Sequence, residues 1–118
     1  MGDDTITGGT GADFLVGGAG NDRLNGREGG DAFIGGGGAD IFVFADGTGT
    51  ATDRVIDFVS GTDKLDVSDF DITFDDVQSA AAGANTLVAL DTDSDGTFDL
   101  QILLENAGAP SENDFIFG

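Results

Sequence analysis

The chain has 118 residues, with 23 acidic side chains against 4 basic ones and a formal charge of −19. That balance excludes nucleic acid and anionic membrane surfaces as partners and favours cations. The absence of Cys and His excludes disulfides, thiolate chemistry, zinc–thiolate sites and imidazole catalysis.

A hydrophobic content of 39% and ten Phe spread along the chain separate it from a disordered acidic tail. The length fits one domain. No apolar run reaches membrane-spanning length, and the N-terminus lacks the basic-then-apolar pattern of a signal peptide. No membrane insertion is expected. Beginning in mid-repeat at Met1 predicts a fragment of a longer chain or a solenoid with a ragged first turn.

Residues 1–44 are repeats of nine. Four complete copies run GGTGADFLV (Gly8–Val16), GGAGNDRLN (Gly17–Asn25), GREGGDAFI (Gly26–Ile34) and GGGGADIFV (Gly35–Val43), after a truncated GDDTIT (Gly2–Thr7) in the same register. Residues 45–54 read as a polar connector, and no nine-residue period continues beyond it. Val55–Val59 reads as a short strand, followed by a turn at Ser60-Gly61-Thr62-Asp63. Leu65, Val67 and Phe70 suggest another extended segment. Phe74–Ala82 reads as one or two helical turns, with Asp75 and Asp76 in the first turn and Gly83 as a stop. Thr86–Leu90 and Thr97–Leu104 read as strands joined by a turn at Asp91–Gly96. Asp114–Gly118 reads as a final strand, with the only proline, Pro110, in the loop before it.

Within the unit, position 4 is Gly in all five copies (Gly2, Gly11, Gly20, Gly29, Gly38). Position 6 is Asp in all five (Asp4, Asp13, Asp22, Asp31, Asp40), and position 8 is large and apolar (Ile6, Leu15, Leu24, Phe33, Phe42). Glycines at this density permit sharp turns that aim carbonyl oxygens at one spot. The last three residues make a strand too short to stand alone, so only stacking buries position 8. Two units make one coil, and stacked coils make two parallel sheets. The aspartates then sort by parity, Asp4, Asp22 and Asp40 on one side and Asp13 and Asp31 on the other. Carboxylates and carbonyls converging between stacked turns form an all-oxygen cage. Ca²⁺ accepts such irregular coordination better than octahedral Mg²⁺.

The unit matches the calcium-binding nonapeptide GGxGxDxUx of repeats-in-toxin (RTX) proteins. With ADIFVF (Ala39–Phe44), DRVIDFVSGTDKLDVSDF (Asp53–Phe70), VALDTDSDGTFDLQILLE (Val88–Glu105) and DFIF (Asp114–Phe117), the chain resembles the C-terminal domain of serralysin-type secreted metalloproteases. Secreted lipases, adhesins and mannuronan epimerases carry similar modules. The expected fold is all-β, a parallel β-roll (a two-sheet solenoid) over 1–44, continuous with a C-terminal β-structured cap and secretion-signal region over 45–118.

The resemblance implies calcium held by turn carbonyls and position-6 carboxylates. Those residues are Asp4, then Gly8, Gly9, Gly11 and Asp13, then Gly17, Gly18, Gly20 and Asp22. The third copy supplies Gly26, Gly29 and Asp31, and the fourth Gly35, Gly36, Gly38 and Asp40. Arg27 departs from the pattern at position 2. The family also places a calcium just beyond the roll, on acids matching Asp53 and Asp63. About three to five ions are expected.

Asp91-x-Asp93-x-Asp95-Gly96 resembles the start of an EF-hand loop. Ile102 stands where position 12 needs Glu, so an acidic hairpin turn is the preferred reading and a weak calcium site the alternative.

The leading function is a non-catalytic calcium module of a secreted bacterial protein. It would leave the cell through a type I apparatus and fold on extracellular calcium. The alternative is binding of an alginate-like polysaccharide, for which only Arg23, Arg27, Arg54 and Lys64 are available as cations. An enzyme is disfavoured, because no nucleophile motif or imidazole is present. Any catalytic domain would lie upstream.

Overall fold

A computed structural model describes residues 3–27, 29–44, 52–68, 73–91, 100–105, 107–108 and 110–117. Each repeat yields one three-residue strand directly after its position-6 Asp. These are β1 (Thr5–Thr7), β2 (Phe14–Val16), β3 (Arg23–Asn25), β4 (Ala32–Ile34) and β5 (Ile41–Val43). Between strands the chain must reverse within six residues. It does so through left-handed backbone at positions such as Gly36 (φ 90°) and Gly38 (φ 96°), where a side chain would be strained. Arg27 adopts the same hand at φ 66°, so the third turn keeps its shape without the glycine.

Alternate strands stack in parallel, with Leu24 beside Phe42 and Leu15 beside Phe33. The position-8 side chains Leu15, Leu24, Phe33 and Phe42 are buried between the sheets. Phe33 meets Phe42 edge-on at 5.9 Å and Phe44 at 5.7 Å.

The parallel ladder continues past the repeats. β6 (Thr52–Val55) pairs with β4, and β7 (Lys64–Asp66) pairs with β5. Val55 and Leu65 therefore extend the two position-8 rows. The strand expected at Val55–Val59 lies instead at Thr52–Val55. Its register is set by β4, and the apolar run after Val55 bends away, burying Phe58.

The remaining elements complete both sheets. β10 (Leu100–Leu104) runs parallel to β6 and antiparallel to β9 (Asn85–Leu90), and β9 pairs antiparallel with β8 (Val77–Ala82). β11 (Phe115–Ile116) runs parallel to β7. The sheets are ordered β1-β3-β5-β7-β11 and β2-β4-β6-β10-β9-β8.

The helical reading of Phe74–Ala82 is corrected. Only Phe74–Asp76 forms a 3₁₀ turn, capped by Thr73, and Val77–Ala82 is a strand. Asp75 and Asp76 suit the short turn. The Gly83-Ala84 reversal then pairs the following run with β9, and that pairing overrides local helix preference. The antiparallel pairing of Thr86–Leu90 with the later strand is present over Leu100–Leu104, and the turn expected at Asp91–Gly96 lies, beyond Asp91, outside the described residues.

The C-terminus is anchored by one carboxylate. Asp114 Oδ2 accepts from the Ser60 hydroxyl (2.6 Å) and the Ser111 N–H (2.8 Å), and Oδ1 from the Gly61 N–H (2.8 Å). Burial opposes its charge, but the Ser60, Gly61 and Ser111 hydrogen bonds outweigh it and hold the pKa below the ordinary Asp value. Asp114→Ala leaves these donors unpaired in a buried site. It is expected to cost about 2–4 kcal/mol and to lower the thermal midpoint of the calcium-loaded domain by about 10 °C. A calorimetric scan checks this, and an unchanged midpoint would refute the anchor.

Candidate metal centre

The stacking of coils brings position-6 aspartates into two ladders. The Asp4 N–H donates to Asp22 Oδ1 (2.9 Å), and the Asp22 N–H to Asp40 Oδ1 (2.9 Å). On the other side the Asp13 N–H donates to Asp31 Oδ1 (2.8 Å). Each link joins residues 18 apart, the span of two nonapeptides.

Asp53 and Asp63 continue the ladders. The Asp31 N–H donates to Asp53 Oδ1 (2.8 Å), and the Asp40 N–H to Asp63 Oδ1 (2.9 Å). Their separations are 22 and 23 residues, so the position-6 role survives where the sequence period is lost. Both carboxylates are buried.

The second carboxylate oxygens divide into two groups. Asp13 Oδ2 accepts from the Gly9 N–H (2.9 Å), and Asp63 Oδ2 from the Val59 N–H (2.9 Å). Asp22, Asp31 and Asp40 each bury Oδ2 with no hydrogen-bond partner. A buried, unpartnered carboxylate oxygen is costly unless a proton or cation meets it.

The glycines show what else faces those oxygens. A Cβ on Gly17 would lie 2.5 Å from Asp22 Oδ2 and 2.7 Å from the Gly35 carbonyl oxygen. On Gly8 it would lie 2.7 Å from Asp13 Oδ2 and 2.9 Å from the Gly26 carbonyl oxygen. On Gly26 and Gly35 it would strike Asp31 Oδ2 and Asp40 Oδ2, at 2.1 and 2.3 Å. Position 1 is therefore glycine because the carboxylate fills the side-chain space. The carbonyl oxygens of Gly11, Gly18 and Gly20 press against Gly29, Gly36 and Gly38 of the next coil, each 2.3 Å from the would-be Cβ.

Carbonyl and carboxylate oxygens thus crowd together between coils, and the Oδ2 atoms of Asp22, Asp31 and Asp40 have no donor there. This all-oxygen set fits a hard divalent cation, and calcium's tolerance of irregular carbonyl-rich coordination suits it best. Among the described residues no three acidic side chains converge as a metal cluster, so any cage here is rich in carbonyls.

Asp57 was not anticipated from the repeat. Its two oxygens accept from the Gly35 N–H (2.9 Å) and the Gly36 N–H (2.8 Å), and its charge raises the pKa of Asp40 and Asp63. The only signal was an acid in VIDF, between the two acids already singled out. Asp93 and Asp95 of the EF-hand-like stretch lie outside the described residues.

A family model described as the peptidase M10 serralysin C terminal matches residues 2–118. The chain belongs to the serralysin C-terminal family. As a serralysin C-terminal domain it shares its fold with known structures. The AlgE6R3 subunit of the Azotobacter vinelandii mannuronan C5-epimerase is 26% identical with a TM-score of 0.65, covering 99% of this chain and 79% of that one. The extracellular lipase LipA from Serratia marcescens is 22% identical with a TM-score of 0.64, and the match covers 97% of this chain and 21% of that one. A search of curated protein sequences finds no match.

In this serralysin C-terminal domain the ladders carry an electrostatic cost. Desolvation pushes Asp40 up to about 6 and Asp53 up to about 7, against hydrogen bonds from the Asp22 and Asp31 N–H groups respectively. Neighbouring carboxylates add to both shifts. Desolvation raises Asp31 and Asp63 as well. The domain's cations do not relieve the ladders. Arg23 pairs with Asp66 (2.9 Å) and Arg54 with Glu105 (3.0 Å), while the Lys64 ammonium donates to the Asn113 carbonyl.

Proposed function

We propose that this domain is a non-catalytic calcium module of a secreted bacterial protein, folded by calcium after export through a type I apparatus. The observation that carries the proposal is the trio of buried, unpartnered oxygens on Asp22, Asp31 and Asp40. Membership of the serralysin C-terminal family supports it. Asp4, Asp13, Asp22, Asp31, Asp40, Asp53 and Asp63 would supply carboxylate ligands. Glycines at positions 1, 2 and 4 would supply carbonyls. The five stacked aspartate pairs accommodate about three to five ions.

The switch follows from linkage. If calcium binds only the folded chain, its binding free energy is folding free energy. Where calcium is scarce, a chain of charge −19 repels itself and stays threadable. At about 10⁻³ M extracellular calcium, sites of modest affinity fill and the roll forms. A calcium titration by calorimetry, followed in parallel by circular dichroism, is expected to show several ions bound as β-structure appears. Unchanged β-structure after chelation would sink the proposal.

Polysaccharide binding draws its support from the likeness to an epimerase subunit. Two of the four basic side chains it would draw on are ion-paired within the domain, Arg23 to Asp66 and Arg54 to Glu105. Calcium binding is therefore the preferred reading.

A further inference from the structure

The six-stranded sheet ends at β8, which among the described residues pairs with β9 alone. In register, Val77, Ser79 and Ala81 stand beside Leu90, Val88 and Thr86, the buried row of β9. They therefore face the core side of the sheet. Yet Ser79 and Ala81 are as exposed as Gln78, Ala80 and Ala82 on the opposite face. Beyond Val77, which packs against the core, β8 is held by a single ladder with both faces open. A strand so placed gains little burial to offset its ordering.

Its sequence, VQSAAA, contains none of the devices that usually guard an edge. It has no charge, no proline and no bulky side chain to deter pairing. Most surfaces of a chain with charge −19 repel a second copy, whereas β8 is a six-residue uncharged window.

We propose that β8 is a self-association edge, through which two copies of this chain pair antiparallel about a two-fold axis and join their six-stranded sheets into one. An axis normal to the sheet keeps core-facing residues opposite core-facing residues. The pairing must therefore centre on a residue. Centred on Ser79, it sets Gln78 against Ala80 and Val77 against Ala81, and Asp76 and Asp75 fall opposite Ala82 and Gly83. Centred on Ala80, Asp76 and Asp75 fall opposite Ala84 and Asn85. Neither register opposes two acids, so the strand is complementary to itself in charge as well as in shape. The contact is small, so the dimer is weak and depends on concentration.

Sedimentation equilibrium of the calcium-loaded full chain tests this. A reversible monomer–dimer equilibrium is expected, with amides of β8 gaining hydrogen-exchange protection as concentration rises. Ala80→Lys and Ala80→Asp are both expected to weaken it about tenfold, because each places like charges at or beside the two-fold axis. Both variants keep the parent circular dichroism, since Ala80 is exposed and only Val77 of β8 packs against the core. Non-specific association would respond in opposite directions, tightening as Lys reduces the negative charge. A monomer at every concentration, a tighter Lys variant, or a dimer indifferent to both substitutions would overturn the proposal.

Discussion

Gly36→Ala is expected to abolish the roll at calcium concentrations that fold the parent chain. Gly36 has φ 90°, and a Cβ there would lie 2.3 Å from the Gly18 carbonyl oxygen and 2.9 Å from its carbon. Two costs add. Left-handed backbone is unfavourable for an L-residue by about 1–2 kcal/mol. The clash is with backbone of the neighbouring coil, which no rotamer change relieves, so the coils must separate where their oxygens converge. The combined loss is about 3–5 kcal/mol, a large share of the stability of a small domain.

Gly37→Ala is the matched control. Its would-be Cβ meets nothing within 4 Å, and the change is expected to stay within about 0.5 kcal/mol. Calcium-dependent circular dichroism of the two variants decides the matter. Equal calcium midpoints for Gly36→Ala and the parent would show that the coils do not need to approach this closely.

The second expected result concerns pH. Without calcium, the fold is expected to lose stability as pH rises from about 4 to about 7. Asp40 and Asp53 titrate at about 6 and about 7 in the fold, above the unfolded value near 3.8. Between those limits the folded state holds more protons than the unfolded one, so stability falls with rising pH. Asp53 alone, pushed from 3.8 to about 7, costs the ion-free fold about 4 kcal/mol at neutral pH.

Calcium reverses the slope, because it binds the ionised carboxylates and so competes with protons. The calcium concentration at half folding, followed by circular dichroism between pH 5 and 7.5, above the sequence pI of about 4.1 to keep the chain soluble, should fall as pH rises, while any residual β-structure in chelator should decline over the same range. A calcium midpoint that stays constant or climbs as pH rises would contradict a shared proton and calcium site.

The repeats made much of this arrangement legible. Asp at position 6 and an apolar residue at position 8 are enough to assign Asp22 and Asp40 to one ladder. They also place Leu15 and Phe33 in the core. What the nonapeptide could not reveal is where the coil continues without its period. Asp53 and Asp63 hold the same ladder position at separations of 22 and 23 residues rather than 18, because the connections are longer while the strands stay in register. Asp57 was missed for a related reason. It binds Gly35 and Gly36 from outside the repeat, through a turn whose shape no spacing encodes. The helix expected over Phe74–Ala82 failed because Ala-rich segments suit either state locally. The Gly83 reversal and the waiting edge of β9 decided the outcome.

The caps on the position-6 amides all point one way. Each repeat aspartate from Asp4 to Asp40 has its amide satisfied by the carboxylate of the coil that follows it, while Asp63 gives its amide to the Val59 carbonyl. The array therefore has a grammar with a full stop at one end only. Deleting the last coil takes the carboxylate caps from position-6 amides in the one before, whereas deleting the first removes no cap from a position-6 amide. New units added ahead of Asp4 would disturb no cap on a position-6 amide. A roll of this kind can be lengthened by duplication at its front while its closing coil stays fixed.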